Sequence, residues 1–369
     1  MIKKFLQRIF KLASYGFFLK IHGKIKDSIE VTDDKRITVK KININQDLNY
    51  KVYKFSAGRL YTDRVHDMAV IIENKIVNGP SFQLRRTKDE KIYFSNIENN
   101  NVFKNGTPRK LKKLDGTTLS LLTGGAGNNN YWHWLFDVLP RLNLCEKFFK
   151  LDKIDYFLLP SVEKKFQNET LDLLNIPMHK RLSSKKFRHI KSKELIVTDH
   201  PVVTTGDATS DIQNIPSWIL LWLKNSFQKE NNSNGKKIYI DRDDSTFTNP
   251  AKRLLSNEAK IKKYLEENNF ISVKLHELKF FEQVKLFQSA KSVVGLHGGG
   301  FANITFCKPG TEIIELRSSN AGPVIENLAK KNDLNYKSIV VAAKQANNIP
   351  NQQGSIEIPI KDLIEKIKI

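Results

Sequence analysis

Three stretches of the chain combine proton-carrying or charged side chains with backbone that can come close to a ligand. In Ser292-Val-Val-Gly-Leu-His-Gly-Gly-Gly-Phe-Ala-Asn303, an apolar run leads into His297 and the glycines Gly298, Gly299 and Gly300, and helical sequence follows. Glycines at a strand-to-helix turn let N–H groups reach an anion, and a helix N-terminus adds partial positive charge, so this turn suits a diphosphate. The bland alternative is a tight turn that needs positive φ, but three glycines beside a histidine favour the ligand. The spacing does not follow G-x-G-x-x-G and comes after a late strand, which disfavours a nicotinamide site.

The second stretch is Leu121-Leu-Thr-Gly-Gly-Ala-Gly-Asn-Asn-Asn-Tyr-Trp-His-Trp-Leu-Phe-Asp-Val-Leu-Pro-Arg-Leu142. His133, Asp137 and Arg141 fall at i, i+4 and i+8, along one helical face. Titratable groups in line beside a glycine-rich loop are what a general base and its orienting partner need. Alternatively, the histidine and aspartate cap the loop or pair with Arg141, and the aromatic cluster is core. Asn128, Asn129 and Asn130 tilt the reading toward function, since the sequence shows no structural purpose for them.

In the third, Tyr239-Ile-Asp-Arg-Asp-Asp244, a strand ends in Arg242 and aims a guanidinium at the C-terminal sheet edge, where open α/β sheets bind ligands. Asp241 and Asp243 form an Asp-x-Asp pattern able to hold a divalent cation against a diphosphate. Arg242 and Lys252 can neutralise phosphate without one, so no metal and no cofactor is expected. There is no Gly-x-Ser-x-Gly elbow, P-loop or His-Glu-x-x-His, so serine hydrolases, P-loop NTPases and zincins lose their usual evidence.

The elements that must position these residues are written in the hydrophobic pattern. Residues 1–26 read as a basic amphipathic helix: Ile2, Phe5, Leu6, Ile9, Leu12, Ala13 and Phe17 keep helical spacing among lysines and arginines, with no acid before Asp27. Such a helix either lies on an anionic membrane or packs its stripe on the protein body. Residues 27–114 show period-two and short β-branched runs, predicting a small β-rich region. From 115 to 228 apolar strands alternate with helical segments, as they do again from 237 to 369, and the polar stretch 229–236 reads as a linker between the two α/β lobes.

Composition bounds the rest. A chain of 369 residues that is 40% hydrophobic is folded and long enough for two lobes. Its charge, 61 − 39 = +22, predicts attraction to nucleic acid, an anionic bilayer or phosphorylated small molecules. Two distant cysteines, Cys145 and Cys307, offer no disulfide framework and fit a reducing cytosol. No run reaches the ~20 apolar residues of a spanning helix, and no A-x-A cleavage site follows the N-terminal segment, so neither a spanning nor a secreted protein is expected.

Taken together, Tyr131-Trp-His-Trp-Leu-Phe-Asp-Val-Leu-Pro-Arg141, the Arg242…Arg253…Asn257-Glu258 run, Leu278-Lys-Phe-Phe-Glu-Gln283, and Gly295-Leu-His-Gly-Gly-Gly-Phe-Ala-Asn303 leading to Pro309-Gly-Thr-Glu-Ile-Ile-Glu-Leu316 resemble glycosyltransferase family 61. Bacterial members are often labelled capsular polysaccharide biosynthesis proteins. The likeness implies a GT-B fold, two Rossmann-like lobes facing across a cleft, and inverting, metal-independent transfer from a nucleotide sugar. It also implies that Arg242, His297 and the backbone of Gly298 to Gly300 meet the donor diphosphate, with Asn303 supporting this donor-binding turn and Glu315 on the ribose or sugar. On the acceptor lobe it implies Asp137 as the base, with His133 orienting it or serving as base itself, and Asn129, Asn130, Trp132 and Arg141 on the acceptor side. Gly299-Gly300 stands where many relatives have Gly-Ala-Gly, and Asp241 where a small hydroxyl residue is common.

The leading expectation is therefore a glycosyltransferase working peripherally at the cytoplasmic membrane face on a lipid-linked capsule or lipopolysaccharide acceptor, without nucleic acid. The alternatives are a basic nucleic-acid-binding protein, predicting steeply salt-dependent binding, and a nucleotide-sugar-binding protein without catalysis.

Overall fold

Alternating runs such as Ile37-Thr-Val39 bury one face of a strand, whereas continuous ones such as Ala69-Val-Ile-Ile72 must be covered on both. The computed structural model bears this out: Ile37 is buried and Thr38 exposed, while every residue of Asp67–Ile72 is buried. The structure describes residues 2–45, 48–62, 67–89, 91–123, 129–229, 235–242, 253–343 and 354–367. The fold is mixed α/β and divides into two units, Met1–Asp211 and Ile212–Ile369.

The first unit opens with helix α1 (Ile2–His22). Its strands are β1 (Asp27–Ile29), β2 (Ile37–Asn45), β3 (Leu48–Ser56), β4 (Arg59–Tyr61), β5 (Asp67–Ile72), β6 (Lys75–Val77), β7 (Phe82–Arg86), β8 (Ile92–Phe94), β9 (Lys112–Ser120), β10 (Tyr156–Leu159), β11 (Arg181–Ser183) and β12 (His189–Thr198). All twelve share one sheet whose main path is β1-β6-β5-β4-β12-β9-β10-β11. β12 is its seam: it runs parallel to β9, with Leu195 opposite Thr118, and antiparallel to β3 and β4 on its other edge. The stretch 27–114, expected to be β-rich, holds β1 to β8 and the start of β9. Its strands complete the α/β sheet, and without them that edge of β12 would be a row of unpaired backbone groups.

β9, β10, β11 and β12 run parallel, but β12 returns to the opposite side of β9 from β10. The direction of winding reverses between β9 and β12, and the C-terminal ends of the strands flanking such a reversal are where open α/β sheets leave a crevice.

The second unit contains β13 (Lys236–Asp241), β14 (Leu254–Leu255), β15 (Phe270–Lys274), β16 (Ala290–Leu296), β17 (Glu312–Ser318), β18 (Asn335–Val341) and β19 (Ser355–Ile356). Five of them form a parallel sheet in the order β15-β13-β16-β17-β18, a doubly wound arrangement whose reversal lies between β13 and β16. Tyr239, Val294, Leu296, Ile314 and Leu316 carry its core, against Ile261 and Leu265 of helix Glu258–Glu267.

The division at Asp211/Ile212 falls ahead of the stretch 229–236 read as a linker, because helix Ser217–Phe227 packs with the second unit. Phe227 meets Phe280 edge-on with ring centroids 4.9 Å apart, Phe280 meets Phe306 at 6.0 Å, and Gln228 Nε2 donates to the Phe306 carbonyl at 2.8 Å. Phe280 sits fully buried at the centre of this chain of rings. Phe280→Ala is expected to lower unfolding free energy by ~3–5 kcal/mol in denaturant titration; a loss below ~1 kcal/mol would show that the rings do not hold the helix.

Candidate functional site

Each unit gathers titratable residues at its own winding reversal. In the first, β9 leads through Thr123 toward a helix that starts at Tyr131, while β12 ends at Thr198 beside Asp199 and His200. The helix is regular over Tyr131–His133 and Pro140–Glu146 but widens to a π-turn over Trp134–Val138, where Leu139 N donates to Trp134 O at 3.1 Å. Pro140 has no N–H to offer the Phe136 carbonyl one turn back, so the helix loosens just before it.

Asp137 lies in the loosened turn. Its Oδ2 sits 2.7 Å from His133 Nδ1 and 4.0 Å from His200 Nε2. His200 Nδ1 accepts the backbone N–H groups of Val202 at 3.2 Å and Val203 at 2.9 Å, which places its own proton on Nε2, toward Asp137. Arg141 is fully buried one turn on: its Nε donates to the Asp137 carbonyl at 3.1 Å and its Nη1 to the Thr198 carbonyl at 2.9 Å. Asp137 Oδ1 and Arg141 Nη2 have no partner among the described residues.

Burial pushes the Asp137 carboxyl up, but His133, then His200 and Arg141, outweigh it and hold the group below the usual carboxylate range. Burial pulls His200 down to about 3 against the attraction of Asp137, so that ring is neutral near pH 7. The result is a buried carboxylate that fixes the Nδ1 side of a partly exposed imidazole and leaves Nε2 of His133 to meet a substrate.

In the second unit, Arg242 directly follows β13 and His297 directly follows β16, the two strands at the reversal. Arg242 Nη1 and Arg253 Nη1 both donate to the His297 carbonyl, at 3.0 and 3.1 Å. Burial, then the neighbouring Arg242 cation, pull Arg253 down to about 10. The two guanidinium groups are thereby drawn together at the C-terminal edge of the sheet, where a bidentate donor suits an anion.

Gly298 lies so close to Arg242 that a Cβ there would stand 2.7 Å from Nη1. His297 Nδ1 bonds the Glu315 carboxylate, whose other oxygen accepts from Tyr336 OH at 2.5 Å.

The structure sorts the residues singled out from sequence. His133 and Asp137 come together, as do Arg242, His297 and Gly298. Gly299 opens a 3-10 turn, Gly299–Phe306, where a helix was expected after Gly300. Asn303 is buried and donates to Gln283 Oε1 at 3.0 Å, tying that turn to helix Phe280–Gln288.

Other placements correct expectations. Glu315, expected on the ribose or sugar, is fully buried, with its two oxygens engaged by His297 and Tyr336. Asn130 has a structural purpose after all, because its side chain caps the helix by accepting from Trp132 N at 3.0 Å. Of the residues expected on the acceptor side, Trp132 is buried edge-on against Phe136, Arg141 is fully buried and Asn129 is exposed. Asp241 pairs with Lys262 at 2.7 Å. Asn128, Asp243 and Lys252 lie outside the described residues.

His200, Arg253 and Tyr336 were not among the site residues read from sequence. A histidine directly after an apolar strand, at the C-terminal sheet edge, is the signal that could have revealed His200.

Residues 131–314 match the model of a protein family described as Glycosyltransferase 61. The match covers about half of the chain and includes His133, Asp137, His200, Arg242, Arg253 and His297, while Glu315 and Tyr336 lie just beyond it. No curated protein matches the chain.

His189, at the start of β12, is likewise held down to about 3, by burial and then Arg59 against its hydrogen bond to the Arg109 carbonyl. Both it and His200 have folded values below the ordinary 6.5, so the unfolded chain takes up protons that the native state refuses. Unfolding free energy is expected to fall as pH drops from about 6.5 toward 3, by up to ~1.4 kcal/mol per pH unit for each ring. Denaturant titration across that window should show a shallower slope for His189→Gln with His200→Gln; an unchanged slope would refute the assignment.

Proposed function

Because the chain belongs to glycosyltransferase family 61, we propose that it moves a sugar with inversion from a nucleotide-sugar donor to a hydroxyl of a lipid-linked bacterial surface glycan, a capsule or lipopolysaccharide. In this reading the two units are the lobes of a GT-B enzyme, with the acceptor presented at the cytoplasmic membrane face. The observation that carries it is the convergence of Arg242 and Arg253 on the His297 carbonyl at the β13/β16 reversal, an anion site at the sheet edge where doubly wound folds bind nucleotides.

The donor diphosphate meets the guanidinium groups of Arg242 and Arg253, with His297 Nε2 and the Gly298–Gly300 backbone beside them. His133 is the base. Its Nε2 takes the acceptor hydroxyl proton as that oxygen attacks the anomeric carbon, and the bond from that carbon to the diphosphate breaks. Asp137 stabilises the imidazolium that forms. This order reverses the first expectation, for Asp137 is the more deeply buried of the two and already occupied by His133. No step requires a metal, since the arginines meet the leaving charge.

Nucleotide release with candidate donors and a membrane extract tests the reading. His133→Ala is expected to lower kcat ~10²–10⁴-fold, and Asp137→Asn less; full turnover in both would sink the assignment. Arg242→Ala and Arg253→Ala should each weaken donor binding ~10–100-fold with little change in the pH profile, the effect of losing a charge-assisted hydrogen bond. Turnover should survive excess EDTA; its loss would bring Asp241 and Asp243 back as metal ligands.

A further inference from the structure

Helix α1 divides its apolar residues between two surroundings. Toward its C-terminal end one face packs on the first unit: Phe18 stacks on His22, His22 meets His189 edge-on at 4.8 Å, and Leu19 lies against Gly106 so closely that a Cβ there would clash at 2.8 Å. Gly23, at φ +74°, ends the helix with its N–H on the Leu19 carbonyl at 3.0 Å. The other face has no such cover. Leu6, Ile9, Leu12, Phe17 and Ile21 are 58, 48, 63, 60 and 56% exposed, and Leu6, Ile9, Ala13 and Phe17 follow one another at helical spacing along it.

We infer that this outward face of α1 lies on an anionic membrane surface and fixes the first unit against it. Large apolar side chains in a row on a soluble surface mark a docking site. The charge on the page selects the occupant. Lys3, Lys4, Arg8, Lys11, Lys20, Lys24 and Lys26 accompany the stripe, and no acidic residue precedes Asp27. A second copy of the chain would bring the same cations and be repelled, whereas an anionic bilayer offers both hydrocarbon for the stripe and phosphate for the lysines.

No described helix is long and apolar enough to cross a membrane, so α1 lies on the surface rather than through it. Since Leu19 and His22 lock its far end to the body, the helix sets the orientation of the unit as well as its residence. The inference rests on the proposed function only for the reason the acceptor is found there.

The test is flotation of the whole chain with vesicles of phosphatidylcholine, with and without phosphatidylglycerol. Binding is expected with the anionic vesicles and much less without them. Leu6→Glu combined with Phe17→Glu should weaken it more than ~100-fold. A separate Phe17→Trp variant should shift its fluorescence to the blue on binding.

Equal flotation of wild type and double variant, or none by wild type, overturns the proposal. So does a wild-type oligomer that the double variant dissociates, which would make the stripe a contact between copies. Circular dichroism and nucleotide release with a soluble acceptor confirm that the double variant is folded. If no donor gives turnover while flotation behaves as expected, the transferase reading fails and the membrane surface stands.

Discussion

A carboxylate taken out of water must be met by partners, and two such groups organise this protein. Asp137 on a helix of the first unit and Glu315 on β17 of the second each hold the Nδ1 side of a histidine. An unpaired ion at that depth would cost several kcal/mol, so the surrounding chain is arranged to prevent it. Arg141 and His200 attend Asp137, and Tyr336 attends Glu315. The price in packing is a fully buried guanidinium beneath the first site, which burial pulls down to about 10. Both histidines are thereby fixed in ring orientation before any ligand arrives, which spares that ordering cost at binding.

Much of the second unit was legible in the sequence because parallel strands covered on both faces read as continuous apolar runs. Ser292–Leu296 and Glu312–Leu316 announced themselves in this way, and β16 and β17 lie there. β18 did not: Asn335-Tyr-Lys-Ser-Ile-Val-Val341 mixes polar and apolar residues as a partly exposed edge strand does. Tyr336, which completes the Glu315 hydrogen bonds, was hidden with it.

The candidate sites divide along the same line. His133 and Asp137 were visible because helical spacing alone brings i and i+4 together. Glu315 gave no such sign, because its place in the middle of β17 does not say which partners its side chain meets. Asn130 was misread because a capping residue and a ligand residue look alike in sequence: both are polar and both sit at the mouth of a helix. His200 depends on a contact across 63 positions of chain (200 − 137), which spacing rules cannot express.

The seam along β12 sets the boundary of what can fold as a piece. The stretch recognisable as a family begins at Tyr131, after β9 and every antiparallel strand of the first sheet. Yet β12, inside that stretch, takes one neighbour from β9 and the others from β3 and β4, all of them upstream. The matched stretch and the folding unit are therefore different segments: a piece cut at Tyr131 would carry β12 but leave both of its edges without the strands that pair with them.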